Sequence, residues 1–463
     1  MNDIKKNIRR IFWLFFALFL GLVLYLGHFV IFESSTTVNT VLNPRINIAR
    51  DNVRRGNIYD RNGEILAESI NQNGVYRRNY PHGLLFSHII GSNDISKSGI
   101  EEQFNFDLLS LEFEVIQRFN NLVNDRNLEA NSVHLTLDLE LQQVAARALG
   151  NTRGSVVAIE PSTGRILAIY SNPSFDPHLT LENWDILRTD YESNPLLNRA
   201  TQGLYPPGSV FKLVTAKAIM ENIEDYENFY HECTGEFIYG EYRLRCHNLS
   251  GCGVVNLYSA MKYSCNTYFA STSLILGQDI LIDVAERLHF NQNLGFDFAS
   301  VDSRFLLDTN SSVSELIETS IGQGRTTATP LHMAMIMSAI ANDGVLKTPF
   351  MFDYITTSRG NIRNQTTPRV MDILFTEEQS ASLKTMMLEA VESGTGINAR
   401  SNLAQISGKT GTAQVDSAES HGWFAAFSPF DNPQIAVVVI TENTGNSRLA
   451  TNIAKSVIEN YLN

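Results

Sequence analysis

The chain has 463 residues, enough for two or three domains, because single cores stop growing well before this size. Apolar residues make up 43% and charged residues 18%, an ordinary globular balance with no low-complexity tract and no repeat of solenoid length. Acids outnumber bases, 49 Asp and Glu against 36 Lys and Arg, so the clustered positive charge that phosphate contacts need is missing and no nucleic-acid partner is expected.

The N-terminus departs from this average. From Ile11 to Phe32 the sequence IFWLFFALFLGLVLYLGHFVIF carries no acid, lysine or arginine and is as long as a helix needs to be to cross hydrocarbon. Lys5, Lys6, Arg9 and Arg10 precede it, and Glu33 with a Ser/Thr run follows. The positive-inside rule then makes residues 1–10 a cytoplasmic tail and puts everything after Glu33 outside. A cleaved signal peptide is the alternative, but the apolar run exceeds a signal core and no A-x-A-like site follows it. The expectation is a single-pass anchor over 11–32, held by the lipid bilayer.

Residues 33–150 read as a mixed segment of short extended pieces and turns. RGNIYDRNGEILAES, Arg55 to Ser69, places an Asn62-Gly63 turn between two apolar stretches, a hairpin signal. Arg55, Asp60 and Arg61 are expected to form a structural salt-bridge set. Leu135-Thr136-Leu137-Asp138 reads as a short strand, with Asp138 as N-cap of the helix that follows. Beyond 150, Gly154–Ile159 and Arg165–Ser171 are β-rich runs joined by EPSTG, a second hairpin. Helices are expected near Pro206–Ile219, Leu257–Leu276 and Pro330–Ala341, then strands over Gln405–Gln414, Gly422–Phe427 and Gln434–Ile440, and a last amphipathic helix from about Ala450 to Leu462. Strands at both ends with helices between predict one α/β layer domain over 151–463 whose terminal strands share a sheet against the helical middle.

Three short motifs carry chemistry. In LYPPGSVFKLVTA, Pro206, Pro207 and Gly208 stop the preceding segment and leave Ser209 at a helix start. Lys212, three residues on, shares its face and is expected above the hydroxyl. A serine is a weak nucleophile until a base removes its proton, and a lysine neutralised by burial can be that base. Alone S-x-x-K is weak, since Ser259-Ala-Met-Lys262 matches equally and is assigned no role. Ser264-Cys265-Asn266 offers a proton shuttle and an amide in a turn between helices, or simply a polar turn. Lys409-Thr410-Gly411-Thr412 sets an amine and two hydroxyls along a strand, where they can bind a carboxylate, and the glycine admits a substrate backbone; a lysine-guarded edge strand is the plainer reading.

The ordered set Ser209…Lys212, Ser264…Asn266, Lys409-Thr410-Gly411 resembles the active-site signature of the serine penicillin-recognising enzymes. RGNIYDRNG, Gly99-Ile100-Glu101, Leu135–Asp138 and IGQGRTTATPLHMAM (Ile321–Met335) are similar to stretches of the class B penicillin-binding proteins. The resemblance covers nearly all of the chain beyond the anchor. One departure is GCG at Gly251–Gly253, where many relatives carry a histidine between glycines.

The resemblance implies a non-catalytic pedestal over 33–150 and an α+β transpeptidase domain with an antiparallel sheet sandwiched by helices. It implies peptidoglycan stem peptides ending in D-Ala-D-Ala as substrate and β-lactams as covalent inhibitors. Ser209 would be the nucleophile, Lys212 its base, Ser264 the proton relay and Asn266 an amide ligand. Lys409 would sustain the electrostatics, Thr410, Gly411 and Thr412 would hold the terminal carboxylate end, and the N–H groups of Ser209 and Thr412 would form the oxyanion hole. No cofactor and no metal are called for. The pedestal lacks room for a glycosyltransferase, so a separate membrane-embedded glycan polymerase is expected as partner, at the bacterial cytoplasmic membrane. A carboxypeptidase, a β-lactamase or penicillin sensor, and a silent wall-synthesis scaffold are the rival readings.

Cysteine usage leaves two options open. Cys233, Cys246 and Cys252 cluster in a loop-like stretch and Cys265 lies in an apolar helical run. A Cys233–Cys246 disulfide suits an oxidising compartment, while Cys233, Cys246, His247 and Cys252 are metal-type ligands without a standard zinc spacing.

Overall fold

The computed structural model describes residues 2–28, 54–93, 98–109, 130–415 and 418–463. A first helix runs over Asn2–His28, and its stretch Lys5–His28, 24 residues, is long and apolar enough to cross a membrane. The expected end of the span at Phe32 lies outside the described residues.

The C-terminal half is built on a five-stranded sheet. In spatial order its strands are Ser407–Ala413, His421–Ser428, Ile435–Thr441, Gly154–Ile159 and Ile166–Asn172, each antiparallel to its neighbour. Strands from both ends of the domain therefore share one sheet, as the sequence order predicts. The run IAVVVIT shows why it sits at the centre. Ala436, Val438 and Ile440 enter the core that holds the helix Pro330–Ala341, whereas Ile435, Val437 and Val439 enter the core beneath the helices Leu139–Leu149 and Arg448–Leu462. A strand covered on both faces has no polar side to alternate with, so its sequence is continuously apolar.

A six-stranded sheet carries the pedestal, in the order 362–363, 352–356, 132–135, 58–59, 65–72, 75–79. The Asn62-Gly63 hairpin forms between Ile58–Tyr59 and Ile65–Gln72. Phe352–Thr356, distant in sequence, adds to it antiparallel to Ser132–Leu135. The strand expected at Leu135–Asp138 instead ends at Leu135, because Thr136 turns its hydroxyl to Ile166 O at 2.7 Å and Asp138 caps the next helix, accepting from Leu141 N at 3.0 Å.

The expected salt-bridge set is rearranged. Arg55 Nε lies 2.7 Å and Arg78 Nε 2.5 Å from the Glu101 carboxylate, with the three side chains at most 6% exposed. Asp60 instead accepts backbone N–H groups of Asn62, Glu64 and Leu139, and so pins the hairpin to the helix Leu139–Leu149. Burial works against the Glu101 anion, but Arg78 and Arg55 outweigh it and hold the carboxyl below its ordinary value. Glu101→Ala would leave two buried guanidinium groups unpaired, and a loss of about 3–5 kcal/mol of pedestal stability is expected in denaturant unfolding.

Candidate active site

The serine arm is set by close backbone approach. Gly208 has φ +53°, donates its N–H to Gly322 O at 2.8 Å, and a Cβ on it would lie 2.7 Å from Thr412 O. Trp423 Nε1 donates to Pro206 O at 3.0 Å. The turn bearing Ser209 is thus pressed onto the strand Ser407–Ala413. Gly411 also makes room for the enzyme's own turn: a Cβ on it would lie 2.8 Å from Val210 Cγ2 and 3.1 Å from Pro207 O. The expected α-helix from Pro206 is a 3₁₀ turn over Gly208–Phe211, and the α-helix begins at Lys212. In a 3₁₀ turn residues i and i+3 eclipse, so Lys212 stays on the face of Ser209.

The second arm is a break between helices. Leu257–Tyr263 ends at Ser264, which adopts the left-handed region (φ +54°, ψ 43°), and Asn266 opens the helix Asn266–Arg287. Asn266 Nδ2 donates to Arg245 O at 2.8 Å, which turns Oδ1 toward Lys212. The third arm is the strand carrying Lys409, paired to His421–Ser428 with Lys409 opposite Ala425.

The three arms meet at the Ser264 hydroxyl. Lys212 Nζ donates to Asn266 Oδ1 at 2.7 Å, Ser264 O at 2.8 Å and Ser264 Oγ at 3.2 Å. Lys409 Nζ lies 2.8 Å from Ser264 Oγ and 2.9 Å from Thr410 O. Both lysines are fully buried. Burial lowers the Lys212 amine to about 8, with the neighbouring thiols opposing that shift, and burial followed by repulsion from Lys212 brings Lys409 well below its ordinary value. Burial removes the water that stabilises an ammonium, so the charged form of each amine is held less firmly than in water. Ser209 is half-buried, and among the described residues its hydroxyl makes no hydrogen bond. Among the described residues no hydrogen bond joins Lys212 to Ser209, and Ser264 with Asn266 holds the amine.

Thr410 is buried and its Oγ1 donates to Thr395 Oγ1 at 2.8 Å, while Thr412 is exposed and its carbonyl receives Gln323 Nε2 at 3.3 Å. Thr395 lies outside every motif read from the sequence, and Gln323, though inside Ile321–Met335, has no role assigned there, because each reaches Thr410 or Thr412 from a segment remote in the chain. The competing pair separates as expected: Ser259 is spent in a capping box with Asn256, and Lys262 lies over the Tyr263 ring.

Behind the Ser264 turn the cysteines converge. Sγ of Cys233 lies 3.6 Å from that of Cys246, which lies 3.9 Å from that of Cys265, and all four cysteines are free thiols. The spacing-allowed disulfide is therefore not formed. Cys252 precedes Gly253, which pairs with Cys233, and its thiol is raised to about 11, by burial first and then by Cys233 and Cys246. His247 is exposed, and the ligand position given to it in the sequence reading goes to Cys265. A hydrogen bond from Cys265 draws the Cys246 thiol below its ordinary value, against the effect of burial. The observed separations are close to the ~3.8 Å edge of a tetrahedron with Zn–S bonds of about 2.3 Å, so this cluster could hold one thiophilic ion.

Residues 154–459 match the family described as penicillin binding protein transpeptidase domain, and residues 55–133 match the penicillin binding protein A dimerisation domain. The chain is a class B penicillin-binding protein. It is 33% identical to the peptidoglycan D,D-transpeptidase MrdA of Acinetobacter baumannii over 83% of this chain and 66% of that protein. It is 30% identical to the peptidoglycan D,D-transpeptidase PbpA of Mycolicibacterium smegmatis over 88% of each. The ceftriaxone acyl-enzyme complex of penicillin-binding protein A from M. tuberculosis superposes with a TM-score of 0.83 at 27% identity, covering 89% of this chain and 99% of that one. In this penicillin-binding protein the first helix is thus an apolar N-terminal segment ahead of the dimerisation and transpeptidase domains.

Proposed function

We infer that the chain cross-links peptidoglycan stem peptides by serine acyl transfer and is acylated by β-lactams. The observation that carries this reading is the meeting of Lys212, Lys409 and Asn266 on the Ser264 turn, against a strand pressed onto the Ser209 turn.

Neutral Lys212 takes the Ser209 proton as Oγ attacks the carbonyl of the penultimate D-alanine. The backbone N–H groups of Ser209 and Thr412 receive the oxyanion, an interaction worth several kcal/mol at the transition state. Collapse breaks the amide C–N bond, and the proton passes from Lys212 through Ser264 Oγ, which touches both amines, to the departing D-alanine nitrogen. Lys409, Thr410 and Thr412 hold the terminal carboxylate, and Asn266 keeps Lys212 in place. An amine of a second stem peptide then attacks the ester, and Ser209 recovers its proton.

We assign residues 1–10 to the cytoplasm, 11–32 to the membrane, 33–150 to the pedestal and 151–463 to the catalytic domain outside the bacterial cytoplasmic membrane. A membrane-embedded glycan polymerase contacts the anchor and pedestal. The direct test supplies the purified full-length chain, together with such a polymerase, with lipid-linked substrate. Joined stem peptides with release of one D-alanine per link are expected, whereas D-alanine release by hydrolysis alone would make the protein a carboxypeptidase.

A further inference from the structure

Thr395 stands outside the three motifs, yet it touches two of the arms that carry them. The chain leaves the helix Glu377–Ser393 at Gly394, whose backbone is pressed against the Ser264 arm: a Cβ there would lie 2.4 Å from Lys262 O. The Thr395 N–H donates to that same carbonyl at 3.2 Å, and its Oγ1 accepts from Thr410 Oγ1 at 2.8 Å. Thr410 is only 7% exposed, whereas Thr395 is exposed. The buried hydroxyl assigned to the substrate carboxylate is therefore bonded to an exposed one, whose backbone is tied to the other side of the groove.

We propose that Thr395 is a positioning residue for the terminal carboxylate, acting through Thr410; this rests on the transpeptidase reading above. A carboxylate offers only acceptors, so it draws the Thr410 proton toward itself. Thr410 Oγ1 then has a lone pair free, and the Thr395 hydroxyl rotates to donate to it. The pair reverses from Thr410→Thr395 to Thr395→Thr410→carboxylate, and hydroxyls in series polarise one another. Lys409 is bonded to Ser264 Oγ and Thr410 O; the two threonines supply the directed hydroxyls. The bond of Thr395 N–H to Lys262 O keeps its hydroxyl in reach while the groove fills.

The test compares a penicillin bearing its free carboxylate with its methyl ester, following acylation by intact mass over hours on the full-length wild type, Thr395→Val and Thr395→Ser. Thr395→Val is expected to lower k2/Kd for the acid about three- to tenfold, the scale of one lost hydrogen bond, and to leave the ester within about twofold. Thr395→Ser is expected to restore the acid. Equal losses for acid and ester would make Thr395 a packing residue, and an undiminished rate in Thr395→Val would remove it from recognition; either result overturns the proposal. A wild type that neither penicillin acylates would overturn the transpeptidase reading itself, and this proposal with it.

Discussion

Ser209→Ala is expected to abolish covalent labelling by fluorescent penicillin and to lower substrate acylation by about four orders of magnitude or more, as loss of a catalytic serine does elsewhere. The fold is expected to stay intact, because the turn is held by other atoms: Gly208 N–H on Gly322 O, and Trp423 Nε1 on Pro206 O. Among the described residues the Ser209 hydroxyl has no hydrogen bond to lose, so the change in unfolding free energy is expected within about 0.5 kcal/mol. Reversible binding of the β-lactam should persist, since Lys409, Thr410 and Thr412 remain. Intact-mass spectrometry and denaturant unfolding of one preparation check both halves. A stable adduct on the alanine variant would show that another group is the nucleophile.

The second large effect concerns Lys212. Its amine is lowered to about 8, first by burial. The sign follows directly: a lysine with a depressed value is neutral above it and charged below it, and only the neutral amine accepts the Ser209 proton. The rate constant for acylation should therefore climb with pH up to about 8, with a slope near one on logarithmic axes, and level off above it. Lys212→Arg keeps the cation but cannot become neutral, and a loss of about 10²–10⁴-fold with no recovery at high pH is expected. Stopped-flow acylation across pH 6–10, a range of roughly two units either side of that value, checks the profile. A flat profile would remove Lys212 from the role of base.

These expectations separate what local sequence carries from what it does not. The hairpin at Asn62-Gly63 and the helix Pro330–Ala341 are legible because turn chemistry and helix periodicity act over a few residues. The long apolar N-terminal helix is legible for a similar reason, since bilayer thickness sets the length of apolar run that a span requires. The 3₁₀ turn at Ser209 is not, because a preceding Pro-Pro-Gly signals only that a helix starts nearby, and the close contact of Gly208 with Thr412 is what tightens it. The strand Phe352–Thr356 joins the pedestal sheet for a reason equally invisible in its own residues: its partner, Ser132–Leu135, lies more than two hundred positions earlier.

The catalytic groups divide the same way. Sequence alone determined the chemical inventory: Ser209 with Lys212 three residues on, a Ser-Cys-Asn turn, and a Lys-Thr-Gly-Thr strand, in an order that resembles a signature of acyl transfer. Tertiary structure decided that both amines meet at Ser264 Oγ, that Cys265 rather than His247 completes the thiol cluster, and that Thr395 bonds the Thr410 hydroxyl. It also decided the acidity of Lys212, because a lysine carries no mark of whether water will reach it. Burial and long-range register depend on segments remote in the chain, and they become defined only once the sheets and helices have packed.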